Sequence, residues 1–250
     1  VQTCALPIYR PEWVKWATVV KQGNGVLIIG SICVLITWIC MVMSTKRILR
    51  ILQVGFFLGI ATWAVIIFAL ATANGPEAFQ AAWDKFMGAG NYAKVIPTAI
   101  SQGMNYSTSP ITMTLGGLIM GFWVFYGYYI PTFFAGELKN APSTLLIGSW
   151  GSLILTWAIF TIGAILLQAL VPLKWLAAEG YLFYNAQKSL NTLPFITFYA
   201  GILRPNPILN AIIFIGFVYT LINLAMTYYF YCSRIIFAWA FDRILPEKIA

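Results

Sequence analysis

Residues 116–140 read GGLIMGFWVFYGYYIPTFFAGELKN, an apolar run that ends in a short polar exit. Pro131 lacks a backbone N–H, and its ring clashes with the preceding helical turn. Gly127, four residues earlier, has no side chain to resist unwinding. We therefore predict a membrane helix that is interrupted at residues 127–131. Backbone that is unpaired within a bilayer must be buried in protein or line a cavity.

Aromatic side chains surround Gly127 in this predicted interruption. They are Phe122, Trp123, Phe125, Tyr126, Tyr128 and Tyr129. Because aromatic faces hold organic cations, the stretch suits the binding of a small organic solute. The alternative is an ordinary packed helix, since Gly and Pro are frequent in membrane helices. Gly117-x-x-x-Gly121 and Gly55-x-x-x-Gly59 are also helix-packing motifs.

The composition excludes a soluble globular domain. Hydrophobic residues make up 60% of the chain and charged residues 9%, whereas a soluble domain carries about 25% charged residues. The net charge is +8, but the basic residues lie mainly between apolar blocks, which favours topology signals over nucleic-acid binding. The chain has no His, so imidazole metal ligands and histidine general bases are excluded.

Five apolar segments predict an all-α polytopic membrane protein, because each is long enough to cross a bilayer as a helix. The segments cover residues 25–43, 51–73, 111–135, 144–171 and 207–231. A helical tail to residue 250 follows. Lys and Arg concentrate in the short loops and in this tail, which places both in the cytoplasm. The long loops, 74–110 and 172–206, then lie on the outer side.

One of the long loops carries a helical pattern. Phe79, Trp83, Phe86 and Met87 recur at helical spacing after Asn74-Gly75-Pro76. This pattern predicts a short amphipathic helix on the membrane surface or over a vestibule.

The first eight residues, VQTCALPI, match one reading frame of a common sequencing adaptor. We interpret residues 1–8 as an artefact and exclude them from the fold argument. Residues 9–250 are then expected to be part of a transmembrane domain, with further N- and C-terminal helices of the same protein as its partners.

Two stretches resemble the amino acid–polyamine–organocation (APC) transporter superfamily. Gly127, with the exit Gly136–Asn140, is similar to the family's sixth helix and the loop that follows it. The second match resembles the end of the eighth helix and the loop after it. It comprises Ser233-Arg234, Ala238-Trp239-Ala240, Asp242-Arg243 and Leu245-Pro246. Arg243 stands where the family usually has Gly.

The resemblance implies a partial inverted five-helix-repeat transporter fold with a discontinuous third helix, covering about helices four to eight. It implies a secondary active transporter for amino acids or related amines in the plasma membrane. The carbonyls of Trp123 and Tyr126 would meet the solute ammonium, and Trp123 would form an aromatic wall. The residues expected to bind substrate are Trp123, Tyr126, Gly127, Tyr128, Tyr129, Pro131 and Tyr228.

The last apolar segment carries a further hypothesis, on ion binding. Asn223, Thr227 and Arg234 share one helical face, and sodium sites in this family use hydroxyls of the eighth helix. Thr227 or Ser233 would then bind Na⁺, whereas interhelical hydrogen bonding is the alternative. Tyr129 stands where some members have an acid, which argues against proton coupling there. No cofactor is expected beyond a coupling ion, Na⁺ or H⁺.

Two other classes of protein remain as alternatives. An intramembrane enzyme needs acids or dyads at membrane depth, but the acidic residues fall in the predicted loops and tails. A channel would show repeated polar rings, and none is evident in the sequence. A non-transporting or channel-like subunit of the same fold is therefore the main alternative, ahead of an enzyme.

Overall fold

The computed structural model describes residues 24–105, 110–185 and 194–244, and in these ranges the regular secondary structure is helical. The α-helices are α1 (Asn24–Met41), α2 (Thr45–Ala71), α3 (Gly75–Met87), α4 (Asn91–Ser101), α5 (Pro110–Val124), α6 (Ala141–Leu170), α7 (Leu173–Tyr184), α8 (Ile196–Leu203) and α9 (Pro207–Phe241). A 3₁₀ helix, Ile130–Glu137, lies between α5 and α6. The predicted artefact at residues 1–8 lies outside the described ranges.

Within the described ranges, three helices are long and apolar enough to cross a membrane: Lys46–Ala71, Ala141–Leu170 and Pro207–Phe241. Two shorter apolar helices, Asn24–Cys40 and Thr114–Val124, accompany them. The prediction of an all-α polytopic membrane protein is confirmed.

The long helices extend beyond the apolar segments seen in the sequence. α2 begins at Thr45 and so includes three basic residues, Lys46, Arg47 and Arg50. α9 continues past residue 231 to Phe241 and includes Arg234. Charge does not end a helix, because Lys and Arg are good helix formers and long side chains carry their charge out to the interface.

The structure separates into two compact units. The first unit contains the described parts of Val1–Cys33, Gly55–Ser107 and Thr161–Thr220. It holds the two predicted long loops, each of which forms a pair of short helices, α3 with α4 and α7 with α8. We call these four helices the short-helix cluster.

Aromatic side chains form the core of the short-helix cluster. Phe79, Trp83, Trp175 and Tyr199 are each at most 1% exposed. The Trp83 and Trp175 rings meet edge to face at 4.7 Å, and Phe79 meets Tyr199 at 5.4 Å. The amphipathic helix expected around Phe79 and Trp83 is present as α3, but its apolar face is covered by α7 and α8. Helical spacing predicts such a face and does not say what covers it.

Polar contacts tie the short helices together. The Trp175 indole Nε1 donates to the Tyr92 carbonyl at 3.0 Å, and the Tyr181 hydroxyl donates to the Gln102 carbonyl at 3.0 Å. At the end of α2, the Arg204 guanidinium donates to the carbonyl and the hydroxyl of Thr72. This contact places a cation at a helix C-terminus, where the helix dipole favours it.

Small residues bring α2 and α9 together in the first unit. A Cβ on Gly59 would lie 3.7 Å from Thr220 Oγ1, and one on Gly216 would collide with Thr62. Gly55 is buried, so the Gly55-x-x-x-Gly59 motif lies on a packed face. In contrast, a Cβ on Gly117 or Gly121 would meet no described atom within 4 Å.

Gly216 gives a stability prediction. A Cβ added there would lie 2.9 Å from Thr62 Cβ and 3.1 Å from Cγ2, so rotating the threonine cannot remove the clash. We expect Gly216→Ala to lower the free energy of unfolding by about 1–3 kcal/mol, as overpacking does. Thermal unfolding in detergent measures this. Gly148→Ala is the control, because a Cβ on Gly148 would meet no atom of the described residues within 4 Å. Equal melting temperatures for the two variants would contradict the close packing.

Candidate solute-binding site

The second unit contains Val34–Val54 and the described parts of Thr108–Phe160 and Leu221–Ala250. It includes the helix interruption, the first part of α6 and the end of α9. The residues predicted for the solute site and for the ion site all lie in this unit.

The predicted helix interruption is present and begins nearer the N-terminus than residues 127–131. α5 ends at Val124, residues 125–129 form turns, and the 3₁₀ helix starts at Ile130. Gly127 has a φ of +104°, a left-handed value that side-chain-bearing residues rarely adopt. Pro131 lies in the first turn of the 3₁₀ helix, where a missing N–H is tolerated. The proline therefore starts the second half of the helix, and Gly127 lies within the turn.

Short-range hydrogen bonds replace the helical ladder at the interruption. The Tyr126 amide donates to the Trp123 carbonyl at 3.1 Å, and the Ile130 amide donates to the Gly127 carbonyl at 3.0 Å. A carbonyl oxygen has two lone pairs. The Trp123 carbonyl can therefore accept a second donor in addition to the Tyr126 amide.

Other carbonyls in the turn take side-chain donors as well. The Tyr129 carbonyl accepts the Thr132 amide at 2.9 Å and the Thr132 hydroxyl at 2.6 Å. The Tyr128 carbonyl accepts the Ser149 hydroxyl of α6 at 3.2 Å. Because two donors already use the Tyr129 carbonyl, the Trp123 carbonyl is a better acceptor for an added donor than the Tyr129 carbonyl.

The aromatic side chains predicted for the site contact one another. The centroids of Trp123 and Tyr126 are 5.8 Å apart in a stacked pair, and Tyr126 meets Tyr129 edge to face at 5.4 Å. Tyr128 also meets Tyr129, at 5.8 Å. These distances lie within the range of favourable aromatic pairs, so four of the predicted residues form one set of rings.

Tyr228, on α9, reaches this set through two residues that the sequence does not predict for the site. Phe133 lies 6.4 Å from Tyr129 and 4.8 Å from Tyr231, and Tyr231 lies 6.0 Å from Tyr228. In the sequence, the only indication that these two residues belong to the site is their spacing. Phe133 follows Tyr129 by four residues and Tyr231 follows Tyr228 by three, as neighbours on one helical face do. Only the structure brings these two pairs together.

The rings nearest the end of α5 leave much of their surface accessible. Trp123 is 73% exposed, Tyr126 54% and Tyr128 49%. Exposed aromatic faces beside backbone carbonyls form a surface that suits a cation with an apolar part.

The two hydroxyls predicted for an ion site do not point to a common centre. Thr227 donates to the Asn223 carbonyl at 2.9 Å, and Ser233 donates to the Phe230 carbonyl at 2.6 Å. Residues six apart on an α-helix are rotated by about 120° and separated by about 9 Å along the axis. The structure therefore gives each hydroxyl a contact within its own helix and does not bring the two together.

Asn223 and Arg234 take part in packing. The Asn223 side-chain amide donates to the Leu52 carbonyl of α2 at 3.4 Å, an interhelical hydrogen bond of the kind expected as the alternative. The Arg234 guanidinium lies 5.0 Å from the centroid of the Phe230 ring, within cation–π range. Among the described residues, no group of three or more Cys, Asp or Glu side chains could hold a metal ion.

The fold and the interrupted helix define a class of protein, a polytopic α-helical membrane protein with a discontinuous helix. The family model described as amino acid permease matches residues 6–250. The chain therefore belongs to the amino acid permease family, within the APC superfamily. Neither the curated proteins nor the solved structures contain a match.

Proposed function

We propose that this protein is a secondary active transporter for amino acids or related amines, and that it holds its solute at the turn between α5 and the 3₁₀ helix. Membership of the permease family supports transport of a small molecule. The left-handed Gly127 carries the site assignment, because it lies in the turn that interrupts the helix, beside exposed aromatic rings. Interrupted helices with paired half-ends are the usual solute sites of such carriers.

The described groups suit the ammonium end of the solute. The α5 end offers a carbonyl with a remaining lone pair at Trp123, and a helix C-terminus favours positive charge. The 3₁₀ end offers few donors to a carboxylate, because Pro131 has no N–H and the Ile130 and Thr132 amides already donate within the turn. The turn is therefore assigned to the ammonium group and not to the carboxylate of an amino acid.

The solute assignment is tested by competition during uptake into proteoliposomes. If the turn binds the ammonium group, amines without a carboxylate will inhibit uptake of a labelled amino acid substrate. Carboxylates without an amine will inhibit weakly or not at all. The reverse order of inhibition would contradict the assignment of the ammonium to this turn.

The coupling ion is proposed to be Na⁺ or H⁺, with Thr227 or Ser233 as the hydroxyl that contacts Na⁺. Each hydroxyl already donates to its own helix, which leaves oxygen lone pairs for a cation. Uptake is measured with a sodium gradient alone, a pH gradient alone, and neither. Secondary transport requires accumulation that depends on one gradient. Passive flux in all three conditions indicates a channel-like subunit, and no flux for any amino acid or amine indicates a non-transporting one.

The remaining assignments follow from the same proposal. The protein is expected in the plasma membrane, with the lipid bilayer and its own further helices as partners. No nucleic acid is expected as a partner, and no reaction beyond transport.

A further inference from the structure

The start of α2 carries three exposed cations outside the proposed solute site. Lys46, Arg47 and Arg50 lie in its first two turns, and all three side chains are exposed. The segment that is long and apolar enough to cross a membrane begins at Lys46 and has 26 residues. As a helix it is about 39 Å long, which exceeds the hydrocarbon thickness of about 30 Å. Its ends therefore reach the level of the lipid headgroups.

We propose that Lys46, Arg47 and Arg50 form a binding site for the headgroup of an anionic phospholipid. The phosphate of the lipid would accept hydrogen bonds from the guanidinium and ammonium groups. The acyl chains would run along the apolar side chains that follow on the same side of the helix. We call the three cations the basic face of α2.

The basic face is turned away from the side of α2 that packs. At 100° per residue, Lys46 and Arg47 lie within about 60° of Arg50 around the helix axis. Ile48 is 2% exposed, and the Leu52 carbonyl accepts a side-chain amide of α9. Ile48 and Leu52 each lie about 160° from Arg50. Packing on α9 therefore leaves the basic face directed toward the surroundings.

Exposed apolar side chains continue the basic face toward the middle of the bilayer. Lys46, Arg50 and Val54 follow one another at intervals of four residues, so they form one row along the helix. Val54 is 54% exposed, and Leu49, beside the row, is 52% exposed. Val54 lies about 12 Å along the axis from Lys46, at the depth of the acyl chains. Cations followed by apolar residues fit a lipid, because a free anion has no hydrocarbon chain.

The local charge favours an anionic headgroup over a zwitterionic one. The start of α2 belongs to the second unit, and the residues described there include six basic and two acidic ones. The three cations of the basic face are spaced by three and four residues, where like charges repel. They also lie at a helix N-terminus, where the helix dipole disfavours positive charge. A bound anion relieves both effects, whereas a zwitterionic headgroup brings a cation of its own.

Photolabelling of the full-length protein in phosphatidylcholine vesicles tests the site. The probe is phosphatidylglycerol with a photoreactive group near its headgroup, and the labelled peptides are mapped. We expect labelling of residues 44–54 and displacement of the probe by unlabelled phosphatidylglycerol. The same photoreactive group on phosphatidylcholine is expected to label these residues weakly. Inorganic phosphate should not displace the probe, because it has no hydrocarbon chains.

Arg50→Gln removes one cation of the basic face and keeps the other two at the end of the helix. At limiting probe, labelling of residues 44–54 is expected to fall by about fivefold, the contribution of one basic residue near an anionic membrane surface. Arg50→Lys keeps the charge and should retain most of the labelling. Lys94→Gln, at an exposed lysine of α4, lowers the net charge equally and should leave the labelling unchanged.

Thermal unfolding in detergent supplies a measurement that does not depend on labelling chemistry. A lipid that binds the folded protein raises its melting temperature, so phosphatidylglycerol is expected to raise it more than phosphatidylcholine does. Arg50→Gln should reduce this difference, and Lys94→Gln should keep it.

Three results would overturn the lipid site. Equal labelling and equal melting temperatures with the two lipids would show that the basic face does not select an anionic headgroup. Native protein without label in residues 44–54 would show that other helices of the protein cover this face. Displacement of the probe by inorganic phosphate would show a site for a soluble anion.

Discussion

Gly127→Ala in the full-length protein is expected to reduce the initial rate of solute uptake by about five- to a hundredfold while membrane insertion is retained. At a φ of +104°, a residue with a side chain is strained by about 1–3 kcal/mol. Since 1.4 kcal/mol is a tenfold change in an equilibrium, this strain is enough to depopulate the turn. Gly127→Leu should abolish uptake, because its bulk must also avoid Ile130 Cδ1, which lies 3.5 Å from an added Cβ.

Gly75→Ala is the matched control for backbone strain. Gly75 also has a positive φ, +79°, and a Cβ added there would meet no described atom within 4 Å. It lies at the start of α3, in the other compact unit. We expect Gly75→Ala to change stability without a comparable loss of uptake rate. Equal uptake by Gly127→Ala and the native protein would remove the reason for placing the solute at this turn.

Trp123→Ala is expected to raise the KM for uptake by about ten- to a hundredfold. Its indole is 73% exposed and stacks on Tyr126 at 5.8 Å, so its removal takes a large face from the proposed site and little from the packed interior. A cation held against an aromatic face in a desolvated site gains about 2 kcal/mol or more. Trp123→Phe, which keeps a ring, should lose less.

Trp150→Ala separates a specific effect from a general effect of tryptophan removal. Trp150 lies on α6 in the same compact unit and is 61% exposed. We expect the KM of Trp150→Ala for uptake to stay within about twofold of the native value, because surface substitutions away from a site have small effects. If Trp123→Ala and Trp150→Ala change KM by the same factor, Trp123 is not part of the solute site.

The interruption of the third apolar helix could be predicted because its causes are local. Gly127 and Pro131 each constrain the backbone through their own covalent structure. The prediction put the interruption at 127–131, whereas the turn occupies residues 125–129. A proline can lie within a helix break or in the first turn of the helix that follows the break. Sequence alone does not show which of these two places Pro131 occupies.

The residues that link Tyr228 to the turn could not be predicted in the same way. Phe133 and Tyr231 are separated by nearly a hundred residues of sequence, yet their rings lie 4.8 Å apart. Helical periodicity indicates which residues share a face of one helix. It does not indicate which face of another helix that face will meet.

By itself, the sequence determined the membrane class, the long helices and the interrupted one, because hydrophobic length and backbone chemistry act on the residues that carry them. The tertiary structure decided which groups are withdrawn from water. It alone buried Glu179 against Tyr199 and covered Phe79 and Trp83 with α7 and α8. Burial depends on the surfaces that distant segments bring together. A local sequence pattern does not encode which distant segment will cover a given surface.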